Sequence, residues 1–160
     1  MSRKAVFFDI DGTLWDEHFV IPESTKEAIR KLRENGHLAF LCSGRTRAFI
    51  QDERLLALGF DGIVAGCGTW IEMDGKTLFY TKLEQELIED TIHILKEYGI
   101  PTVYEGSQNL YMDLEEFEED PYGLRLKETL GEDLLPVTGN EAIMEISKFS
   151  CSTPDDAYLK

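Results

Sequence analysis

The chain opens on a compact apolar run, Ala5 to Ile10, rich in strand-forming residues and bounded by Asp11-Gly12. A run of that length closed by a turn signal predicts a buried parallel strand ending in a loop. Pro22 and Ser24 then introduce a helix expected to reach Asn35, with Ala28, Ile29 and Leu32 on one face and Gly36 as its stop. Leu38 to Cys42 reads as a second apolar strand, followed by the loop Ser43-Gly44-Arg45 and a helical stretch from Thr46 to Leu58. Gly62 to Ala65 predicts a third strand. Alternation of this kind argues for an α/β fold with a parallel sheet and right-handed crossovers, whose ligands gather at the carboxyl ends of the strands.

The rhythm changes after Gly66. Thr69 to Met73 and Lys76 to Thr81 alternate around Asp74-Gly75, a dipeptide suited to a tight hairpin. A helix is expected over Leu83 to Tyr98, with Leu87, Ile88, Thr91, Ile92 and Leu95 on its apolar side. Short strands are predicted at Thr102 to Tyr104, at Leu110 to Asp113 and at Ala142 to Cys151. Between the last two lies the acidic run Glu115 to Asp120, read as a solvated face, and a weakly patterned stretch beyond Pro121. The division falls near Thr81, giving a first domain over 1–81 and a smaller α+β domain over 82–160.

Composition narrows the function. With 31 acidic against 16 basic side chains the formal charge is −15, which opposes binding to nucleic acid or anionic membrane. An anionic substrate would need its charge met locally by a metal ion, backbone N–H groups or a few cations. Cys42, Cys67 and Cys151 have neither metal-ligand spacing nor an even count, so a reducing, cytoplasmic setting is the expectation. The first residues show no long hydrophobic region or cleavage signal, so neither export nor membrane insertion is expected.

The chemistry concentrates at Phe7-Phe8-Asp9-Ile10-Asp11-Gly12-Thr13. Residues two apart on a strand point the same way, so Asp9 and Asp11 can address one substrate, and Gly12 allows the sharp departure that exposes them. Phosphoryl transfer through a carboxylate needs one group to attack phosphorus and another to protonate the leaving oxygen. Two carboxylates beside a phosphate also call for a divalent cation, most naturally Mg²⁺.

Asp9-Ile10-Asp11-Gly12-Thr13 resembles motif I of the haloacid dehalogenase (HAD) superfamily. That resemblance implies Asp9 as the nucleophile, Asp11 as general acid/base, and Mg²⁺ bound by the Asp9 carboxylate and the Asp11 carbonyl. Ser43 matches motif II, whose hydroxyl contacts the transferring phosphoryl group, and Ser43-Gly44-Arg45, the candidate phosphate-binding loop, resembles the TGR or SGR sequence of the Cof-type branch, in which a cap follows the third strand. The implied fold is the N-terminal part of a Rossmann-like, three-layer HAD core with an appended α+β cap of the C2 type. The implied activity is Mg²⁺-dependent hydrolysis of a small phosphorylated metabolite. Cof-type proteins usually carry Asn-Gly after the third strand, where this chain has Cys67-Gly68. The family's later lysine and acidic metal-binding motifs have only Lys148 and Asp155-Asp156 as late candidates, and these read as ordinary cap residues.

Two other readings stand beside this one. A truncated or inactive HAD-type chain would serve as a binding or interaction module, and a sheet ending at the third strand would expose an edge and favour homo-oligomers or a partner. A signalling receiver also phosphorylates an aspartate, but places it after the third strand, where this chain has Gly66-Cys67-Gly68. Cys42 lacks an arginine at the spacing of cysteine phosphatases, and Trp15 is either a wall near the site or packing.

Overall fold

The computed structural model describes residues 2–118 and 120–152. The chain divides into two compact units, the first Met1–Thr81 and the second beginning at Lys82. In the first, β1 (Ala5–Phe8), β2 (Leu38–Cys42) and β3 (Gly62–Ala65) run parallel, and the hairpin of β4 (Trp70–Met73) and β5 (Lys76–Tyr80) continues the sheet antiparallel, in the order β1-β2-β3-β4-β5. Asp74 and Gly75 both adopt positive φ, 50° and 71°, the backbone a tight hairpin turn requires.

One face of this sheet is a packed core. Ala39, Leu41, Ile63 and Ala65 meet Ile29 of helix α1 (Glu23–Glu34) and Leu55 of the one-turn helix α2 (Glu53–Leu56). Ile29, Leu41 and Leu55 are essentially fully buried, each contributing about 1.5–3 kcal/mol of transfer free energy. Gly36, at φ 79°, ends α1, and Asp61 ties its last turn to the sheet. The Asp61 carboxylate accepts from the Ala39 N–H at 2.8 Å and from Arg33 Nη2 at 3.1 Å.

In the first unit the structure corrects the sequence reading in three places. The expected helix from Thr46 to Leu58 is broken into a 3-10 turn, Arg47–Phe49, and the short α2. Side chains cause the break: Asp52 accepts from the Arg54 and Leu55 N–H groups, while Arg47 and Gln51 donate to the Ile50 and Ala48 carbonyls. The third strand is not an edge, because the hairpin covers it. Instead β1, expected to be buried, has only β2 beside it among the described residues, and Phe7 is 56% exposed although its ring stacks on Phe40. An apolar strand with one open side is a template for further pairing.

The second unit holds a four-stranded sheet ordered β8-β7-β6-β9. Its strands are β6 (Thr102–Glu105), β7 (Leu110–Tyr111), β8 (Leu134–Leu135) and β9 (Lys148–Cys151). Helix α3 (Gln85–Glu97) packs Ile88 and Ile92 on Tyr104 and Tyr111. Helix α4 (Pro121–Leu130) was not foreseen in the weakly patterned stretch. Its start is nonetheless written locally, in the Asp120 cap on the Tyr122 N–H and in Pro121 at the first turn. The acidic run before it is only partly a solvated face, since Phe117 is 2% exposed. The strand expected over Ala142 to Cys151 is confined to Lys148–Cys151, preceded by a 3-10 turn at Glu141–Ile143. Lys148 is paired with Glu105, which is 1% exposed, and Ser150 donates to the same carboxylate at 2.6 Å. Asp155-Asp156 lies outside the described residues. Cys42, Cys67 and Cys151 form no disulfide, and no helix among the described residues is long and apolar enough to cross a membrane.

Burial pushes the Asp61 carboxyl up, but the Ala39 N–H and the Arg33 guanidinium outweigh it and hold it below its ordinary 3.8. A depressed folded-state value stabilises the fold above the ordinary value and is lost as pH falls through the folded one. Asp61→Asn is therefore expected to cost about 1–3 kcal/mol at neutral pH and to flatten the stability profile below pH ~4. Urea denaturation of both chains across that range measures this.

Candidate active site

The parallel register of β1 on β2, from Ala5↔Leu38 to Phe8↔Leu41, sends both strands out of the same edge of the sheet. Asp9 is the first residue beyond β1, and Ser43 the first beyond β2. Ile10 between the carboxylates is fully buried while Asp9 and Asp11 are exposed, so the chain keeps its alternation through this stretch. It then turns sharply. The Thr13 and Leu14 N–H groups return to the Ile10 carbonyl at 3.3 and 3.0 Å, and Gly12 takes φ 74°.

Asp9 makes no side-chain hydrogen bond among the described residues, which leaves its carboxylate available. Asp11 is held on two sides. Arg45 donates Nε to Oδ2 at 2.8 Å and Nη2 to Oδ1 at 2.6 Å, a bidentate grip, and Trp15 Nε1 donates to Oδ1 at 3.0 Å. The Arg45 guanidinium lies over the Phe49 ring at 4.4 Å and the Trp15 ring at 5.3 Å. Trp15, only 4% exposed, is therefore part of the site, and Phe49 is a wall of it. The sequence offered one hint for Trp15, its position four residues after Asp11, and none for Phe49. Trp15 is itself set by a turn in which Asp16 accepts from the His18 and Val20 N–H groups at 2.9 and 3.0 Å. Those bonds, that from Val20 foremost, hold the Asp16 carboxyl below its ordinary value, and Phe19 meets Trp15 edge-on at 5.3 Å.

Ser43 sits in the loop between β2 and the Arg47–Phe49 turn, 6% exposed. Its N–H donates to the Val64 carbonyl at 2.9 Å, and its Oγ accepts from the Arg45 N–H at 3.2 Å. The loop after β3 is fastened to it: the Cys67 N–H donates to the Ser43 carbonyl at 3.2 Å and the Gly66 N–H to the Arg45 carbonyl at 2.8 Å. Gly44 lies under Cys67, whose Sγ is 3.6 Å from where a Gly44 Cβ would stand. Of the residues singled out in the sequence, the structure thus joins Asp11 to Arg45 directly and Ser43, Gly44 and Arg45 to one another through the loop. Asp9 shares their strand edge without bonding to them.

No cluster of three or more His, Cys, Asp or Glu side chains that could hold a metal occurs among the described residues. Mg²⁺ does not require one, because it keeps several waters and takes one or two protein oxygens plus those of a substrate phosphate. The unengaged Asp9 carboxylate and the Asp11 main-chain carbonyl meet that modest demand. The Asp11 side chain, gripped by Arg45, is the weaker candidate ligand. A hollow of about 840 Å³ in the second unit is lined by Lys96, Asp113, Glu116 and Thr138 among others. Asp113 accepts from Lys96 Nζ at 2.8 Å and from Thr138 Oγ1 at 2.9 Å.

A mixed α/β sheet thus delivers paired carboxylates from its first strand and a hydroxyl from its second to one edge. The chain belongs to the haloacid dehalogenase-like hydrolase family, whose model matches residues 6–151. The YkrA protein of Bacillus subtilis (strain 168), which carries the name of a phosphatase, is 31% identical over 104 residues, 65% of this chain and 40% of that protein. A crystal structure from Geobacillus kaustophilus superposes with a TM-score of 0.76 at 25% identity, over 99% of this chain and 60% of that one. The HAD subclass IIB sugar phosphatase BT4131 gives 0.72 at 22% identity, over 92% of this chain and 57% of that one. The chain thus spans between two fifths and three fifths of the length of these relatives.

Cys67 adopts φ 57° and ψ 30°, the left-handed region that asparagine and glycine tolerate best. This gives a conformational reason for the Asn-Gly that Cof-type relatives usually carry there. Cys67→Asn is expected to stabilise the chain by about 0.5–1 kcal/mol without moving the Ser43 loop, as thermal and chemical denaturation would register.

Proposed function

We propose that this chain carries the phosphoryl-transfer half of a Mg²⁺-dependent phosphomonoesterase acting on small phosphorylated metabolites. The observation that supports the reading most is the contrast between the two carboxylates, Asp9 without a side-chain partner and Asp11 oriented by Arg45 and Trp15. In the proposed sequence an Asp9 oxygen attacks phosphorus in line, the bond to the ester oxygen breaks, and Asp11 delivers a proton to that oxygen. Asp11 then takes a proton from water, whose oxygen attacks phosphorus and breaks the bond to Asp9, releasing inorganic phosphate and restoring the carboxylate. Ser43 Oγ and the loop amides donate to the phosphoryl oxygens as charge builds. When bound at Asp9 and the Asp11 carbonyl, Mg²⁺ supplies charge neutralisation of the phosphate.

The substrate class rests on the family, and the chain's −15 charge leaves attraction of phosphate to local groups rather than to the overall field. The sugar-phosphatase activity named for one structural relative supports a sugar phosphate as the first class to test. The second unit, from Lys82 onward, takes the part of the cap that selects the leaving group. The reading includes self-association through the open side of β1, where the exposed Phe7 is the natural contact. The second reading is a catalytically inactive HAD-type protein serving as a binding or interaction module, a role that the open side of β1 would suit.

The two separate in an assay of the 160-residue chain against an aryl phosphate and an alkyl phosphate, with and without Mg²⁺. Asp9→Asn is expected to lower kcat by roughly a thousandfold or more on both substrates. Asp11→Asn is expected to lose about 10²–10⁴-fold on the alkyl ester and less on the aryl ester, whose leaving group needs less help from an acid. Phosphate binding with no Mg²⁺-dependent turnover would instead select the inactive module.

A further inference from the structure

The grip on Asp11 poses a steric question that the phosphatase reading leaves open. An acid/base carboxylate must present an oxygen to the leaving group, yet both Asp11 oxygens are occupied, Oδ2 by Arg45 Nε and Oδ1 by Arg45 Nη2 and Trp15 Nε1. The Nε/Nη2 edge of the guanidinium that holds the carboxylate is also the edge whose geometry matches two oxygens of a phosphate. Arg45 cannot serve both with that edge at once.

We propose that Arg45 is a positioning residue with two exclusive partners: the Asp11 carboxylate while no phosphate is present, and the phosphoryl group once it arrives. The exchange withdraws the Arg45 fork from Asp11 while Trp15 keeps its bond to Oδ1, and Oδ2 turns to the leaving oxygen. The inference rests on the proposed phosphatase reading of this site.

Three features fit Arg45 for this exchange. Its side chain is only 19% exposed while that of Asp11 is 52% exposed, so the cation is fixed in the wall and the carboxylate stands at the mouth. Phe49 and Trp15 stack on the guanidinium, which supports it whichever anion it faces. Its backbone is pinned at both ends of the peptide, N–H to Ser43 Oγ and carbonyl to the Gly66 N–H, so the change is confined to side-chain torsions. A phosphate dianion offers more charge than one carboxylate, which gives the exchange its direction. Trp15 reports on it, because its indole N–H bonds to the carboxylate that Arg45 releases and its ring lies beside the guanidinium.

The chain has two tryptophans, Trp15 and Trp70, so its indole N–H resonances form a two-peak spectrum that Trp70→Phe assigns. Inorganic phosphate is titrated into the wild-type chain in Mg²⁺ buffer, with chloride at matched ionic strength as the control and calorimetry as an independent measure of binding. The expected result is a saturable shift of the Trp15 peak that follows calorimetric binding while the Trp70 peak stays in place. Arg45→Lys, which keeps the charge and loses the fork, should weaken phosphate by about tenfold or more and displace the Trp15 peak before any phosphate is added. Phosphate binding that leaves Trp15 unmoved, or that Arg45→Lys leaves unchanged, would overturn the exchange and leave the phosphatase reading standing. Absence of phosphate binding in the wild-type chain would overturn both.

Discussion

The parallel pairing of β1 with β2 is the constraint from which the rest of the first unit follows. A parallel pair needs a crossover, supplied by α1, and it aligns carboxyl ends rather than opposite ends. The register from Ala5↔Leu38 to Phe8↔Leu41 therefore delivers Asp9 and Ser43 to one edge, although 33 residues of chain lie between them. Asp61 reinforces the pair by bonding the Ala39 N–H in β2 and the Arg33 guanidinium at the end of the crossover helix. A slip of the register would turn Ile10 out to water and bring both carboxylates into the core.

The electrostatics are local. A chain with a formal charge of −15 places Arg45 beside the paired acids and braces it with two aromatic rings. The cation answers Asp11 directly and sits one loop away from Ser43, so acid, hydroxyl and arginine form a connected set rather than three independent features. Asp9 stands outside that set, sharing its strand edge without bonding to it. The hydrogen bonds show how this chain arranges these residues.

Much of the fold was legible because its signals are local. Alternating apolar runs marked β1 to β3, Asp74-Gly75 marked the hairpin, and the change of rhythm at Thr81 marked the division between the units. Asp9, Asp11, Ser43 and Arg45 were legible because each follows a strand or lies in the loop after one. What escaped depends on contacts distant in sequence or on side chains competing with the backbone. Asp52, Arg47 and Gln51 break a helix that its apolar spacing suggested, and α4 hides in a stretch where Gly123 packs against Phe117. The open side of β1 could not be read from a run as apolar as any interior strand. Trp15 read as either a wall near the site or packing; it is packed, and its indole nitrogen also holds Asp11.

The central claim is that the partnerless Asp9 carboxylate, and not Asp11 or Ser43, receives the phosphoryl group. The direct measurement mixes the chain with a phosphomonoester and Mg²⁺, quenches in acid within the first turnover, reduces any acyl phosphate with borohydride, and maps the peptide spanning Ala5 to Thr13. The account predicts reduction at Asp9 alone, absent from Asp9→Asn and from samples without substrate. Reduction at Asp11, or at no residue of that peptide while phosphate is released, would contradict it.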